Sequence, residues 1–292
     1  MMEINHNYLP ALSRIFSPLV LDVIAQKGKS PFLSEVCKNS GLIDKIDFAT
    51  TLREFIDRVY NHLLKNYRNE YIYKNVITNN ILLGTHSLNT TQILMEFRVG
   101  RCKADIVLLN GASTVYEIKT QYDSFTRLEK QIQAYFKVFE YINVITSPSQ
   151  IPKLQSLLPE KAGILVLTNR NNISTIRKAK SNIENVIPHI LFDSLRKSEY
   201  KKIVKEYYGT IPDVPNTQIY RECKKVFCKI PPVMAHNLTI QILKERNNTK
   251  GLKDFLNNAP SSVSAYAFSI CNDRIKMQKL LNQFDNKIHS LI

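Results

Sequence analysis

The chain has 292 residues, and its 40 Lys and Arg against 25 Asp and Glu give a formal net charge of +15. Apolar residues make up 44% and charged residues 22%, which is typical of a folded globular chain and excludes intrinsic disorder as its main state. Eight Gly and twelve Pro exclude a collagen-like or low-complexity architecture.

No apolar run approaches the roughly 20 residues that a membrane span requires, and the first residues lack the basic-then-apolar pattern of a secretory signal. The five cysteines include no CxxC pair, which argues against a disulfide framework or a zinc site. We therefore expect a soluble, cytoplasmic protein with no membrane partner.

Proline and glycine mark the predicted elements of the N-terminal region. Ser17-Pro18 and Ser30-Pro31 predict helix starts, and Gly28 and Ser40-Gly41 predict the corresponding ends. Two short helices around a turn are compatible with a DNA-reading helix-turn-helix or with ordinary helix packing. Apolar residues at three- and four-residue spacing then predict an amphipathic helix from Leu52 to about Tyr67.

A second helical stretch is predicted from Glu70 to Leu83, and after it the spacing of apolar residues changes from the helical to the strand pattern. Its tyrosines, with Tyr67, can stack on bases or form core walls. Beyond it, short apolar runs predict strands over 93–99, 102–109, 114–120, 143–146 and 163–168. Asn110-Gly111 is a hairpin turn, and Asp123 or Ser124 is expected to cap the helix after the third strand. A helix over 152–158 completes a strand-helix alternation of the βαβ kind.

After about residue 169 the pattern is mostly helical, and it predicts helices over 253–257 and 264–284. Gradual composition shifts divide the chain into an N-terminal helical region (1–50), an α/β core (51–170) and a basic, mainly helical region (171–292).

Basic residues are concentrated between Arg170 and Ile230, where thirteen stand against six acidic ones for a local net charge of +7. A lysine or arginine placed against a phosphate releases condensed counterions, so this region predicts a nucleic-acid-binding face. The alternative is a solvated basic surface that only aids solubility.

Three ionisable groups lie on the two strands that flank Asn110-Gly111. If the loop has three residues, Asp105 lies opposite Glu117 and Lys119 shares their face, whereas a two-residue loop would place the carboxylates on opposite faces. Facing carboxylates repel unless a cation lies between them, and hard oxygen ligands suit Mg²⁺ or Mn²⁺. The alternative is a cross-strand ion network with Lys103 and Lys119.

This segment resembles the PD-(D/E)XK nuclease superfamily. Asp105 stands on the first strand, after Ala104 where the family often has Pro, and Glu117-Ile118-Lys119 stands on the second. The following helix carries Gln131-x-x-x-Tyr135, which is similar to the QxxxY motif of the lambda-exonuclease-like branch. The amino-acid sequence of residues 48–170 also resembles that of an uncharacterised bacterial family of predicted nucleases linked to mobile elements.

The resemblance implies an α/β fold with a central mixed sheet, a restriction-endonuclease-like αβββαβ core, and helical regions at both ends. It further implies Mg²⁺- or Mn²⁺-dependent hydrolysis of phosphodiester bonds, in DNA more than in RNA. Asp105 and Glu117 would ligate the metal, Lys119 would position the attacking water, and Gln131 and Tyr135 would contact the substrate phosphate or brace the site.

The first-motif carboxylate of the family matches Glu70 best, with Glu96 and Glu54 as alternatives. Contacts to nucleic acid are expected from Arg127, one turn before Gln131, and from Lys178, Lys201 and Lys202. Two other interpretations stay open: a nuclease-fold protein that binds nucleic acid or a partner without cleaving, and an accessory factor in mobile-element or phage conflict. Because the chain has no GxxxxGK[ST] motif, any energy input would come from a partner protein.

Overall fold

A computed structural model describes residues 6–246 and 249–292 of the chain. Its helices are α1 Leu9–Ser13, α2 Pro18–Lys27, α3 Pro31–Asn39, α4 Leu52–Asn66, α5 Glu70–Ile77, α6 Leu128–Phe136, α7 Ile151–Leu157, α8 Pro188–Asp193, α9 Lys197–Tyr208, α10 Ile219–Phe227, α11 Pro232–Leu243, α12 Thr249–Asn258, α13 Ser264–Ser269 and α14 Arg274–Phe284. Its strands are β1 Gln92–Val99, β2 Cys102–Leu109, β3 Ser113–Lys119, β4 Tyr141–Thr146, β5 Gly163–Leu167 and β6 Ile173–Arg177.

Packing divides the chain into two units. The described residues of Met1–Leu88 and Asn248–Ile292 form a helical unit, and those of Asn89–Asn247 form a sheet unit. The division into three regions that composition predicts, with boundaries near residues 50 and 170, stays a prediction.

The sheet unit contains one six-stranded mixed sheet in the order β1-β2-β3-β4-β5-β6. The strands β1, β2 and β3 are antiparallel neighbours, β3, β4 and β5 are parallel, and β6 is antiparallel to β5. Parallel neighbours need crossover connections, which contain α6 and α7 here. The predicted α/β fold with a central mixed sheet, and helical regions before and after it, is confirmed.

The β2–β3 hairpin has the three-residue loop on which the sequence argument depended. Leu109 pairs with Ser113, and the ladder continues in register to Ile106 and Tyr116. Gly111 has a φ of +113°, a backbone conformation that residues other than glycine rarely adopt. Asp105 lies one position beyond the last pair, Ile106–Tyr116, and the register therefore places it opposite Glu117.

The β1–β2 hairpin is kinked at Glu96. Leu94 and Phe97 both pack in the core of the sheet unit, although strict alternation would put residues three apart on opposite faces. Glu96 lies between them with φ of +59°, in the left-handed region that a glutamate side chain disfavours. The pairs on either side place Glu96 opposite Asp105 on β2.

The predicted starts and ends of the N-terminal helices are confirmed. Helix α2 begins after Ser17 and ends at Gly28, which has φ of +71°. Helix α4 begins with a capping box in which the Thr51 hydroxyl accepts from the Glu54 amide at 3.3 Å and the Glu54 carboxylate accepts from the Thr51 amide at 2.9 Å.

Three predicted elements are wrong in detail. Helix α6 begins at Leu128 rather than after Asp123 or Ser124, because the Asp123 carboxylate instead accepts from the amide and the hydroxyl of Thr120, both at 2.8 Å. Strand β6 lies in the stretch predicted to be mostly helical; as an exposed edge strand it lacks the apolar alternation that would reveal it. The predicted helix over 264–284 is two helices, because Asp273 caps a new start at α14.

The tyrosines of α5 pack inside the helical unit. The Tyr71 ring stacks on Phe16 with centroids 4.8 Å apart, and its hydroxyl donates to the Ser262 carbonyl at 2.7 Å. Tyr73 is fully buried. These two tyrosines are therefore core walls and not base-stacking platforms.

In the described part of the chain no single helix combines the length and apolarity of a membrane span. The segments His6–Phe16 and Pro18–Lys27 pass that test only as a pair, bent by 60° at the break between them.

Candidate functional site

A buried carboxylate at the end of β3 is the centre of the site. Glu117 is 1% exposed. Its Oε1 accepts from the Lys119 ammonium at 3.2 Å and from Gln131 Nε2 at 2.5 Å, and its Oε2 accepts from the Tyr135 hydroxyl at 2.9 Å. The structure thus brings together Glu117, Lys119, Gln131 and Tyr135 by direct contacts.

Helix periodicity explains why α6 supplies two of these groups. Gln131 and Tyr135 are four residues apart and lie on one helix face. Leu128 and Ile132 are completely buried and anchor the same helix in the core of the sheet unit. Lys119 also donates to Gln131 Oε1 at 3.0 Å, so the amide of Gln131 is bonded at both ends and its orientation is set by its neighbours.

Tyr135 is a shared donor. Its hydroxyl lies 2.9 Å from both the Glu117 carboxylate and the Lys103 carbonyl, although a phenol has only one proton to donate. Burial and the neighbouring Glu117 charge raise the pKa of Tyr135, so the side chain stays a neutral phenol.

The pKa of Glu117 is raised, mainly because burial disfavours its charged form. The Lys119 ammonium opposes that shift most strongly, followed by the hydrogen bonds from Tyr135, Lys119 and Gln131. The carboxylate is therefore a desolvated acid whose charge depends on the cation beside it.

Asp105 is held next to this cluster by the backbone of β3. Its Oδ2 accepts from the Ile118 amide at 2.8 Å, one residue from Glu117. The regular β2–β3 ladder ends at Ile106, so the aspartate side chain provides the next hydrogen bond between the strands.

The register of β1 and β2 adds a further carboxylate, Glu96, opposite Asp105. An oxygen of Glu96 lies within 4.8 Å of one of Asp105, and Glu96 forms an ion pair with Lys103. From the sequence alone, Glu96 is only an alternative to Glu70 as the carboxylate of the family's first motif. The signal that could have favoured it is the two-residue turn Gly100-Arg101, which places Glu96 opposite Asp105.

The other predicted acidic residues lie in the helical unit. Glu70 is in the first turn of α5 and forms an ion pair with Lys74 at 2.6 Å. Glu54 belongs to the capping box of α4. The role of Glu70 as a metal ligand stays a prediction.

The predicted nucleic-acid contacts lie on different elements of the sheet unit. Arg127 is exposed at the N-terminus of α6, and Lys178 is exposed just after β6. Lys201 and Lys202 are on α9, where Lys202 pairs with Glu245 at 2.6 Å. Other lysines of the basic stretch are paired as well, including Lys224 with Asp193 at 2.6 Å. Part of the local charge excess is therefore neutralised internally.

Comparisons with known proteins relate the chain to a phage protein. A family model described as bacteriophage P4 protein cII matches residues 64–271. Protein cII of Enterobacteria phage P4 is 23% identical over 158 residues, which cover 53% of this chain and 58% of that protein. The chain thus aligns with little more than half the length of this relative.

Among solved structures, a protein of unknown function from Silicibacter pomeroyi matches at 17% identity with a TM-score of 0.28. The match covers 41% of this chain and 81% of that one. A likeness at this level carries no argument about fold or function.

Proposed function

The chain belongs to the family of bacteriophage P4 protein cII, and we propose that it is a divalent-metal-dependent nuclease that hydrolyses phosphodiester bonds, in DNA more than in RNA. The observation that carries the proposal is the convergence of buried Glu117 and Lys119 on β3 with Asp105 on β2. This arrangement agrees with the resemblance to PD-(D/E)XK nucleases noted in the sequence.

The carboxylates suit a hard cation. A carboxylate has about four acceptor positions, and Glu117 uses three of them on Lys119, Gln131 and Tyr135, which leaves one for a metal or water. Oxygen ligands about 2.1 Å from Mg²⁺ lie about 3–4 Å apart. The separation of up to 4.8 Å between Glu96 and Asp105 therefore needs only a small side-chain adjustment.

In this proposal Asp105 and Glu117 would hold Mg²⁺ or Mn²⁺, with Glu96 as a further ligand. When bound, the ion lowers the pKa of a coordinated water and neutralises charge that develops on the phosphate. Lys119 uses one proton on Glu117 and one on Gln131, so its third is left to orient a water or a phosphate oxygen.

Gln131 and Tyr135 are positioning residues in this scheme. Both donate to Glu117, and both lie on α6, which is packed in the core of the sheet unit. Because Gln131 and Tyr135 hold both oxygens of Glu117, the acceptor position that is left free points in a fixed direction. A metal or water bound there is already oriented, which lowers the free energy needed to reach the transition state.

Arg127, Lys178, Lys201 and Lys202 are the proposed contacts to the nucleic-acid backbone. The net charge of +15 supports a polyanionic substrate. We place this activity in the cytoplasm and in a mobile-element or phage-defence setting, where a partner protein supplies targeting or energy. The membership in a phage protein family supports that setting.

A second candidate is nucleic-acid or partner binding without cleavage. It is favoured by the fact that Lys119 already neutralises Glu117 without a metal. A buried carboxylate paired in this way can serve the fold alone.

The deciding experiment is cleavage of labelled single-stranded, duplex and circular DNA by the purified chain with Mg²⁺ or Mn²⁺. Lys119→Ala and Asp105→Asn are compared with Lys161→Ala, which removes an exposed charge elsewhere in the sheet unit. The nuclease proposal expects cleavage that is lost with EDTA and in the first two variants and is retained in Lys161→Ala.

Binding of DNA without cleavage in either metal would favour the second candidate. Cleavage that survives both site substitutions would remove Asp105 and Lys119 from the mechanism and refute the assignment.

A further inference from the structure

One flank of α9 carries two lysines and a tyrosine in a row. Lys201, Lys205 and Tyr208 are spaced four and three residues apart, so they lie along one side of the helix, and we call them the lysine–tyrosine stripe. Ile203, on the opposite side of α9, is completely buried. The helix is therefore fixed in the core of the sheet unit, while Lys205 and Tyr208 of the stripe are exposed and Lys201 is half-buried.

The two lysines of the stripe differ from their neighbours in having no ion pair. Lys202, the next residue on α9, is bound by Glu245, and Lys224 on α10 is bound by Asp193. For Lys201 and Lys205 the described residues provide no carboxylate within ion-pair distance. Their Cβ atoms lie about 6 Å apart on the helix surface, and no carboxylate of the described residues forms an ion pair with them.

The tyrosine of the stripe is exposed but held in place. Tyr208 is 42% exposed, and its hydroxyl donates to the Val226 carbonyl of α10 at 2.9 Å. The Tyr207 ring meets it edge-on, with centroids 4.8 Å apart and planes at 78°. A ring fixed in this way loses little conformational freedom when another flat group stacks on it.

We infer that the lysine–tyrosine stripe binds single-stranded nucleic acid, with Lys201 and Lys205 against successive phosphates and Tyr208 stacked on a base. Positive charge beside an exposed aromatic ring is the combination that recognises single strands. In a duplex the base faces are covered by their neighbours, so Tyr208 would have nothing to stack on. The inference rests on the proposed function for the assumption of a nucleic-acid substrate, and it adds the strand form.

The test measures binding by fluorescence anisotropy in EDTA, so that no cleavage occurs. A labelled oligothymidylate is compared with a duplex of the same length over a range of salt concentrations. The intact chain is expected to bind the single strand more tightly. The double variant Lys201→Ala/Lys205→Ala should flatten the slope of log affinity against log salt by about 1.4, since each phosphate contact in a single strand contributes about 0.7.

The tyrosine is tested by two substitutions. Tyr208→Leu removes the ring and should weaken single-strand binding roughly 5- to 150-fold. Tyr208→Phe keeps the ring, loses only the bond to Val226 and should bind within a few-fold of the intact chain. The charge-matched control Lys279→Ala/Lys287→Ala removes two exposed charges from the helical unit and should leave the salt slope unchanged.

The inference is overturned if the duplex binds as tightly as the single strand, if Tyr208→Leu binds as well as Tyr208→Phe, or if the control double variant changes the slope as much as the stripe variant. These outcomes are separable from the nuclease proposal. Single-strand binding through the stripe without cleavage in Mg²⁺ would refute only the proposed nuclease, and cleavage without single-strand preference would refute only the stripe.

Discussion

Replacing Lys119 by Met removes the cation beside Glu117 while keeping most of the side chain's length and apolar packing. The ammonium lies 3.2 Å from the carboxylate, and the two side chains are only 13% and 2% exposed. Removal of one partner of a buried ion pair costs about 3–5 kcal/mol. We expect about 3 kcal/mol, at the low end of that range, because Gln131 and Tyr135 still donate to Glu117 in the variant.

The loss should depend on pH in a direction that the site dictates. Burial raises the pKa of Glu117 above its ordinary value of 4.5, and Lys119 opposes that rise. A carboxyl group whose pKa is higher in the folded state stabilises the fold at low pH and loses that contribution as the pH rises through the folded pKa. Without Lys119 the pKa rises further, so the deficit of Lys119→Met is largest near neutral pH and shrinks as the pH approaches about 5.

The measurement is thermal unfolding followed by circular dichroism in EDTA between about pH 5 and pH 8. For a unit of this size a loss of about 1 kcal/mol in the free energy of unfolding lowers the midpoint temperature by about 2–4 °C. The midpoint of Lys119→Met should therefore lie about 6–12 °C below that of the unmodified chain at about pH 8. Lys161→Met, which removes an exposed charge, should unfold with the unmodified chain. A deficit that is the same at both ends of the pH range would refute the coupling of Lys119 to Glu117.

Three further predictions follow from packing and backbone geometry. Gly163→Ala should destabilise the sheet unit by about 1–3 kcal/mol in chemical unfolding, because its Cβ would clash with the Asn143 side chain. Glu96→Gly should raise the free energy of unfolding by about 1 kcal/mol by relieving the positive φ, and should lower metal-dependent cleavage. His236→Gln should flatten the pH dependence of stability between about pH 5 and 7: burial lowers the pKa of His236, so its contribution is present above about pH 6.5 and is lost as the pH falls.

Each of these has an outcome that contradicts it. The added Cβ of Gly163→Ala would also lie 2.9 Å from the Ala179 backbone nitrogen, so a Gly163→Ala chain that unfolds with the unmodified chain would contradict the predicted clash. A Glu96→Gly chain that unfolds more easily would show that the ion pair to Lys103 outweighs the backbone strain. An unchanged pH profile in His236→Gln would mean that His236 does not control acid stability.

The β2–β3 hairpin shows how much local sequence can specify. Its turn dipeptide and its alternation predict the hairpin and leave two loop lengths open, and the pairs from Leu109–Ser113 to Ile106–Tyr116 are those expected for the three-residue loop. Edge strand β6 shows the opposite case. Its middle residues are exposed on both faces, so no burial pattern distinguishes them from a loop.

The sequence by itself determined the mixed α/β fold, the helix starts at Ser17 and Ser30, and the grouping of acidic and basic side chains on β2, β3 and α6. These features depend on residues close together in the chain, where turn geometry, capping and periodicity act. Only the tertiary structure decided that residues 6–88 and 249–292 pack in one helical unit. It also decided that Glu117 is buried among Lys119, Gln131 and Tyr135 and that Glu96 takes a positive φ, because burial and backbone strain arise from contacts that no local pattern encodes.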